Sequence, residues 1–544
     1  MNRILCSLLM FVTATYLAGC GGSTYGGSNT TPVAYSIGGN ISGLTGTVKL
    51  LNNSGNELTV SANGAFTFTN GVLSGNPYSV TVGTQPAGQI CTPSSNTGTI
   101  SSGNVANVVI TCANTYTIGG NITGLIGSIT LLNNGGNAKA ISADGTFAFT
   151  VPMQTGSSYA VTIGTLPGGQ TCSLTNGNGK VATANITNIN VACRTMNAYV
   201  VNKGSQTISQ YSVNSSGVLT ALTPATVSTL TSAPNPVSIA IDPSGKYAYV
   251  TSDTTKAIAQ FRIGSNGALT QLSPAAVATA EFPTGISIDP TGKYAYVTYQ
   301  TTGLAPTGSV ALFNIDTTTG ALTQPAANNF SVAPGTGSWG ISIDPNGKYV
   351  YVANHGLGPV YENTVSQFSI NSGNGTLSAS TQATVNTGPL GGEGPYFISI
   401  DPTGKYAYVT NGNSGSVAQF SINSSNGALT ALNPAFVSTG TVPFHITCDP
   451  SGRFIYVVNI NSGSIAQFII SGNGTLTAMT QPTVASGPGS YDIGIDPTGR
   501  YAYVTNNSGD SVLQYNISST TGALTSRATA SVPAGSVPTT IAIH

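Results

Sequence analysis

The sequence predicts an all-β protein with two small tandem β-sandwich modules, followed by a seven-bladed β-propeller that the C-terminal strand closes. A strand–turn–strand unit recurs through the C-terminal part of the chain, and a different unit with two cysteines occurs twice before it. No long stretch of the 544 residues spaces its apolar side chains as a helix does. The 68 Gly and 29 Pro suit many short strands joined by tight turns.

The composition limits the class of partner. Only 6% of the residues are charged, and the formal net charge is zero. That balance argues against a basic surface, so we expect no nucleic-acid partner. Hydrophobic residues make up 40% of the chain, including 24 Tyr and 16 Phe, which is ample material for cores. No pattern in the sequence indicates a cofactor, and we predict none.

The N-terminus begins with a short positive segment and an apolar run. Arg3 precedes the run Ile4–Ala18, which is too short to span a bilayer comfortably and is typical of a signal-peptide core. The run ends in Leu17-Ala18-Gly19-Cys20, which resembles the bacterial lipoprotein signal, where the chain is cut before the cysteine and the sulfur is lipidated. An ordinary secretory signal with a chance cysteine is the alternative. On the first interpretation, residues 1–19 are the signal peptide, and residues 20–34 are the lipidated Cys20 and a flexible tether.

This resemblance implies a lipid-anchored location in the cell envelope. Acyl chains contribute about 0.8 kcal/mol for each CH₂ that they bury, so a multiply acylated Cys20 would hold the protein on a membrane. Gly21, in place of an acidic residue, is compatible with transfer to the outer membrane, again by resemblance. We therefore predict the membrane as a partner through Cys20. The protein would then lie on either the periplasmic or the outer face of that membrane.

Two tandem modules follow at residues 35–112 and 113–194. The segment Tyr35–Ile41 recurs as Tyr116–Ile122, and the pair Phe66 and Phe68 recurs with the same offset. Apolar side chains alternate along these segments, which predicts short antiparallel strands packed as a sandwich. The modules carry no visible chemistry, and we interpret them as spacers.

The cysteines of the modules predict two disulfides. Cys91 and Cys112 recur as Cys172 and Cys193, so the simplest pairing joins the two cysteines within each module. An exported chain permits this pairing. A metal site is the alternative, but no His or acidic cluster lies beside these cysteines, and we predict no metal.

The propeller is predicted over residues 195–544. Its unit is an apolar lead-in strand, an Asp-Pro-x-Gly turn and a Tyr-x-Tyr-Val strand, as in Ile398–Thr410. Two further strands complete a four-stranded blade. The turn Asp residues are each followed by Lys or Arg, which we interpret as a self-neutralising, solvated ring: Asp242, Asp289, Asp344, Asp401, Asp449 and Asp496.

Counting the strands predicts how the ring closes. Lead-in strands precede six turns, and a seventh copy, Pro538–His544, ends the chain. The other three strands also occur seven times, beginning at Ala198. We therefore predict seven blades, the last of which joins residues 198–222 with the C-terminal strand.

The repeats also carry a family resemblance. Tyr408-Val409-Thr410-Asn411 is an instance of the YVTN propeller repeat, and residues 197–544 resemble the seven-bladed lactonase family, which includes bacterial 6-phosphogluconolactonases. The resemblance implies lactone hydrolysis, with His445 at the position of a family histidine. The family arginine and glutamate correspond to Phe444 and Ile460. Losing the arginine removes the natural clamp for a phosphate or carboxylate.

Counting back from the turn Asp of each repeat predicts the mouth of the central channel. His445 and Asp492 fall on neighbouring blades and are the candidate catalytic pair, since a carboxylate beside an imidazole fixes the tautomer of a general base. The alternative is that His445 is a satisfied polar residue at a crowded strand start. One position earlier stand the aromatic residues predicted to bind ligand: Trp339, Tyr396, Phe444 and Tyr491.

Longer loops on the same face hold three further candidates. His355, Glu362 and Glu393 are predicted ligand-binding residues that form either a polar or a metal site. The alternative is that they are ordinary solvent-exposed loop residues. Cys448, which replaces an Ile of the lead-in pattern, is interpreted as a buried thiol rather than a nucleophile.

The leading functional hypothesis is a surface-anchored, non-enzymatic lipoprotein. Its propeller face would bind a neutral or weakly charged partner, namely a glycan, a peptide or a surface polymer. The missing arginine and glutamate and the aromatic mouth support this hypothesis. The alternatives are a lactonase-like hydrolase that uses His445 and a purely structural envelope protein.

Overall fold

The computed structural model describes residues 33–229, 235–300, 309–325, 329–331, 337–357, 360–388 and 394–544. All regular elements in these ranges are β-strands, and none of the described residues forms a helix that could cross a bilayer. The predicted signal peptide and Cys20 lie outside these ranges. The chain divides into two compact units, and residues 152–157 and 180–185 belong with the N-terminal one.

The N-terminal unit contains the first sandwich module. The strands of its core sheets are Ile37–Ser42, Val48–Asn52, Asn56–Val60, Gly64–Thr67, Pro77–Thr84, Gln89–Ser94, Thr97–Thr99 and Val105–Tyr116. The short strands Ala34–Tyr35 and Val72–Leu73 pair with each other, and Met153–Gln154 pairs with the last long strand. Phe66 and Phe68 meet edge to face in the core, with ring centroids 6.1 Å apart.

The second module repeats this plan. Its strands are Ile118–Thr123, Ile129–Asn133, Gly136–Ile141, Gly145–Ala148, Ser158–Thr165, Gln170–Thr175, Asn178–Lys180 and Ile186–Thr195. Phe147 and Phe149 pack as their counterparts do, at 6.1 Å. The sandwich prediction is therefore confirmed for both modules.

One detail of the sandwich prediction was wrong, because the sheets are not purely antiparallel. The first strand of each module lies parallel to its last strand, as Ile118–Thr123 does beside Ile186–Thr195. Gly120 allows this close approach, since a Cβ there would lie 1.8 Å from the Ile189 carbonyl oxygen. Apolar alternation gives the face of each strand but not its direction.

The predicted disulfides are present. Cys91 bonds to Cys112 and Cys172 to Cys193, in each case between directly paired residues of neighbouring strands. Cys448 is free, and burial raises the pKa of its thiol far above the usual range. An un-ionised thiol is a poor nucleophile, which agrees with the structural interpretation of this residue.

The C-terminal region is a seven-bladed propeller. Its innermost strands are Pro236–Ile241, Phe282–Ile288, Ser338–Ile343, Pro395–Ile400, Pro443–Cys448, Ser490–Ile495 and Pro538–Ile543. The second strands are Asn197–Asn202, Tyr247–Ser252, Tyr294–Gln300, Tyr349–Leu357, Tyr406–Asn411, Phe454–Asn459 and Tyr501–Asn506.

The outer half of each blade has two further strands. The third strands are Thr207–Val213, Ala257–Ile263, Ser309–Ile315, Val360–Ile370, Ser416–Ile422, Ser464–Ile470 and Ser511–Ile517. The outermost are Leu219–Ser228, Leu269–Ala278, Leu322–Thr323 with Asn329–Ser331, Leu377–Asn386, Leu429–Ser438, Leu476–Ala485 and Leu524–Pro533.

The ring closes as predicted. Pro538–Ile543 pairs antiparallel with Asn197–Asn202, so the last strand of the chain completes the blade that the first propeller strands began. The Asn197 and His544 main chains exchange hydrogen bonds of 2.9 and 3.0 Å. The innermost strands contact one another around the whole ring, and closure leaves no blade without two neighbours.

Two kinds of hydrogen bond recur around the ring between neighbouring blades. The second tyrosine of each Tyr-x-Tyr-Val motif, or its equivalent, is fully buried and donates to a glycine carbonyl of the next blade. Tyr351, for example, bonds to Gly427 at 2.7 Å. The same contact recurs from Tyr199, Tyr249, Tyr296, Tyr408, Tyr456 and Tyr503.

A glutamine of the third strand supplies the second bond. Gln367 accepts a hydrogen bond from the Leu429 main chain of the next blade at 2.6 Å. Five other blades repeat it through Gln210, Gln260, Gln419, Gln467 and Gln514. The remaining blade has Leu312 at this position, and Leu312 has no group that accepts a hydrogen bond.

The interpretation of the turn aspartates as a solvated, self-neutralising ring was wrong. Asp401 is 3% exposed, and its Oδ1 accepts hydrogen bonds of 2.7 Å from the main chains of Lys405 and Tyr406. The other five turn aspartates are held in the same way, and no ion pair among the described residues joins any of them to Lys or Arg. Backbone N–H groups therefore satisfy these carboxylates, and the neighbouring basic side chains are not their partners.

Candidate functional site at the channel mouth

The innermost strands begin at one end of the central channel. Each of several strands has a register shift near its start, for example between Pro395 and Ile398 and between Pro443 and Ile446. Such a bulge re-aims neighbouring side chains, so two consecutive residues of one strand can both reach the mouth.

Aromatic rings form a continuous cluster there. Trp339 meets Tyr396 and Phe444 edge to face, with ring centroids 5.8 and 5.9 Å apart. Phe444 also contacts Tyr491 at 4.4 Å and Phe397 at 5.1 Å. The four predicted aromatic residues are therefore together, and they are joined by Phe397, which follows Tyr396 and was not among the predicted ligand-binding residues. Separations of this kind are the preferred ones for aromatic pairs.

His355 belongs to the same cluster. Its ring stacks on Tyr396 at 4.1 Å, and it is 8% exposed within the strand Tyr349–Leu357, so the exposed-loop interpretation was wrong for this residue. Burial lowers its pKa, while a backbone hydrogen bond with Gly394 opposes that shift. The side chain of Glu362, and Glu393 as a whole, lie outside the described residues.

His445 and Asp492 are adjacent, as the count along the strands predicted. His445 Nδ1 lies 2.7 Å from Asp492 Oδ1, although the ring N–H does not point along this contact as a hydrogen bond requires. Asp492 is buried and accepts hydrogen bonds from the main chains of Ile493 and Ile541, at 2.6 and 2.8 Å. Its carboxylate therefore joins two blades, and the side chain of His445 is 22% exposed.

A cavity of about 100 Å³ opens at the mouth. Its aromatic wall comprises Trp339, Phe397, Phe444 and Tyr491. Neither His445 nor Asp492 lines it. The remainder of the wall is polar or aliphatic and consists of Lys203, Val237, Ser238, Asp253, Thr284, Gly285, Thr539 and Thr540.

Lys203 and Asp253 are the two charged residues of this wall. Lys203 Nζ lies 3.0 Å from Asp253 Oδ2. The sequence analysis missed both residues, because it examined the residues before each turn. Lys203 and Asp253 each directly follow a second strand, and His355 stands at the equivalent position within its own longer strand. Counting forward from the Tyr-x-Tyr-Val motifs would therefore have found them.

No metal centre is evident in the part of the chain that the structure describes. It contains no group of three or more His, Cys, Asp or Glu side chains placed to hold an ion. The chemistry available at the mouth is therefore aromatic stacking, a few hydrogen bonds, one ion pair and the neighbouring imidazole.

The fold and this mouth define a seven-bladed β-propeller with a small aromatic cavity at one end of its channel. The model of the family described as the lactonase, seven-bladed β-propeller, matches residues 188–336, 332–442 and 390–544, more than half of the chain. The protein belongs to this family. None of the curated proteins compared with the chain matches it.

Solved structures show the same fold at low sequence identity. One from Bacteroides fragilis, provisionally named a 6-phosphogluconolactonase, has a TM-score of 0.53 and 21% identity, covering 64% of this chain and 98% of its own. A similarly named structure from Bacteroides uniformis has a TM-score of 0.53 and 20% identity, and the match covers 64% of this chain and 99% of the other. The periplasmic gluconolactonase of Pseudomonas aeruginosa has a TM-score of 0.51 and 20% identity, and the match covers 64% of this chain and 98% of the other.

Proposed function

We propose that the propeller binds an uncharged, ring-shaped ligand, a sugar or sugar lactone, in the cavity at the channel mouth. The observation that carries this proposal is the continuous wall of Trp339, Phe397, Phe444 and Tyr491 around a cavity of about 100 Å³. Small-molecule sites are typically concave and mostly apolar, with a few polar groups that fix orientation. The size suits a single ring better than an extended chain.

The charges of the wall also favour a neutral ligand. Anionic ligands are usually clamped by Arg or Lys, but Phe444 stands at the family arginine position, and Lys203 is paired with Asp253 at 3.0 Å. A phosphate in this cavity would compete with Asp253 for Lys203. Among the lining residues there is no second cation to hold it.

Binding is testable through Trp339, which is the single tryptophan of the sequence. Its fluorescence should change when a panel of uncharged monosaccharides and their lactones is titrated into the wild-type protein. Trp339→Ala should lose at least tenfold in affinity, measured by calorimetry, because it removes the largest ring of the wall. Phe436→Ala is the matched control, since Phe436 is an aromatic residue of an outermost strand, 45% exposed. Wild-type protein that binds no member of the panel would refute the proposal.

Lactone hydrolysis is the second candidate function. The contact of 2.7 Å between His445 and Asp492 favours it, and membership of the lactonase family supports it. In that reaction His445 would take a proton from water as the water oxygen attacks the lactone carbonyl carbon. The ring C–O bond then breaks, and the leaving oxygen receives the proton, which gives the open-chain acid. The lactone would have to extend beyond the aromatic cavity to reach His445.

Hydrolysis of glucono-δ-lactone, corrected for its spontaneous rate, separates the two candidates. If His445 is the general base, His445→Gln should lower the catalysed rate by about 10²- to 10⁴-fold with ligand affinity largely kept. If the wild-type protein hydrolyses the lactone no faster than the spontaneous reaction does, hydrolysis is refuted and ligand binding is the candidate function that is left.

We also propose that Cys20 anchors the protein in the cell envelope. The support is the sequence Leu17-Ala18-Gly19-Cys20, which resembles a lipoprotein signal, and the Gly-, Ser- and Thr-rich tether after it. Cys20→Ala should abolish labelling by a radioactive fatty acid and release the protein from the membrane fraction. Membrane retention of the unlabelled variant would contradict the anchor.

A further inference from the structure

Two buried polar atoms of the mouth cavity have no hydrogen-bond partner among the described residues. They are the indole nitrogen Nε1 of Trp339 and the carboxylate oxygen Oδ1 of Asp253, and both residues line the cavity. The other oxygen of Asp253 contacts Lys203 at 3.0 Å. The residues that line the cavity thus include one unpaired donor and one unpaired acceptor.

Such atoms are rarely left unpaired in folded proteins. Most buried polar groups have a partner, and a buried donor or acceptor without one destabilises the folded protein. Two of them in one aromatic cavity therefore point to a ligand that supplies both partners.

We propose that Trp339 Nε1 and Asp253 Oδ1 are the polar groups that select the ligand of this cavity. The indole N–H donates to a ring or carbonyl oxygen, and the carboxylate accepts a hydrogen bond from a ligand hydroxyl. The inference rests on the proposed function and narrows it: the ligand is a hydroxylated ring without a phosphate. A phosphorylated ring is disfavoured, because its phosphate would face the Asp253 carboxylate, whose only neighbouring cation in the wall is Lys203.

The same arrangement predicts that one substitution changes the affinities for two ligands in opposite directions. Asp253→Asn removes the negative charge, weakens the bond to the hydroxyl and leaves Lys203 without its ion-pair partner. Affinity for an uncharged monosaccharide should fall by about tenfold, while affinity for the corresponding 6-phosphate should rise by a similar factor. A variant that merely disturbs the fold would weaken both.

The experiment compares D-glucose, D-galactose and D-mannose with their 6-phosphates, using the Trp339 fluorescence of the full-length protein. Wild type, Asp253→Asn and Asn507→Ala are titrated, and a thermal melt checks that each is folded. Asn507 follows the second strand of another blade and does not line the cavity, so this variant should bind as wild type does. Trp339→Phe keeps a ring but loses the N–H, and calorimetry should show about tenfold weaker binding of the uncharged sugar.

Each outcome decides a different claim. Opposite changes for the two ligand classes in Asp253→Asn support the inference. Parallel changes, or none beyond those of Asn507→Ala, overturn it while leaving the proposed function in place. If wild type binds no uncharged ring, the proposed function fails and the inference falls with it. If Asp253→Asn does not fold, Lys203→Met provides the second test, since it should further weaken the 6-phosphate relative to the uncharged sugar. Equal losses of affinity for the 6-phosphate and the uncharged sugar in Lys203→Met would overturn the inference.

Discussion

The imidazole of His544, the last residue, should make the ring closure sensitive to acid. Arg194 Nη2 lies 2.7 Å from His544 Nδ1 and 2.6 Å from Nε2. Burial and then the positive charge of Arg194 lower the pKa of His544 from 6.5 to about 4, although Asp242 opposes the shift. The folded protein therefore prefers the neutral ring.

This lowered pKa predicts acid destabilisation of the propeller. As the pH falls from about 6.5 through about 4, the unfolded chain binds the proton more readily than the folded one, so the free energy of unfolding decreases. His544→Gln, which does not titrate, should show a smaller decrease over this range in urea unfolding. The pKa of His355 is also lowered, and His355 is unchanged in that variant. The difference between the two pH profiles therefore reports on His544 alone. Identical pH profiles would contradict the role of His544.

At the mouth, the sequence predicts neighbours better than it predicts orientations. Counting from the turn aspartates places Trp339, Phe444 and Tyr491 in the cavity wall correctly. It assigns Tyr396 to the wall, whereas Phe397 lines the cavity and Tyr396 stacks on His355. The strands of Trp339 and Phe444 have the same register shift as that of Tyr396, so side-chain packing, which a sequence does not show, decides which ring faces inward.

At the scale of the element, the contact between each buried tyrosine and the next blade depends on a glycine. Gly427 has a φ of +73°, and a Cβ there would lie 2.3 Å from Cδ1 of Tyr349. Its carbonyl accepts the hydrogen bond of Tyr351. The position therefore combines a left-handed conformation, close packing and a hydrogen bond between blades.

Gly427→Ala should lower the free energy of unfolding by about 2–4 kcal/mol, since both the backbone conformation and the ring contact become unfavourable. Gly472→Ala is the matched control, because Gly472 belongs to a similar outer turn, and a Cβ there would meet nothing within 4 Å. Unfolding in urea measures the free energy of unfolding of both variants. Equal effects from the two substitutions would show that the packing at Gly427 does not matter.

The four-stranded blade is the element that the sequence predicts most fully. Tyr-x-Tyr-Val repeats with Asp-Pro-x-Gly turns indicate two strands and the turn between them, and the structure confirms this. The direction of the first strand in each sandwich module was not predictable, since alternation is identical for parallel and antiparallel neighbours. The roles of the turn aspartates were misread because a sequence shows charge but not burial.

At the scale of the whole molecule, the ring depends on its last strand. Deleting Pro538–His544 removes the strand that pairs with Asn197–Asn202 and exposes the channel side of that blade. It also removes the main-chain N–H of Ile541, which bonds to the Asp492 carboxylate at 2.8 Å. The truncated protein should melt at least 10 °C lower, since each kcal/mol lost lowers the melting temperature of a propeller of this size by roughly 1–2 °C, or it should aggregate through the open edge. Unchanged thermal stability would refute closure by this strand.

The replacement of one bridging glutamine by Leu312 has a consequence for the whole ring. Six junctions between blades have both the tyrosine and the glutamine bond, but the junction between the blades of Leu312 and Leu377 has only that of Tyr296 to Gly375. Local opening should therefore begin at this seam, and the amide of Leu377 should exchange its hydrogen faster than that of Leu429. Trp339 lies on the innermost strand of the blade beyond the seam, so the junction that lacks the glutamine bond adjoins the wall of the mouth cavity, where the proposed ligand would bind.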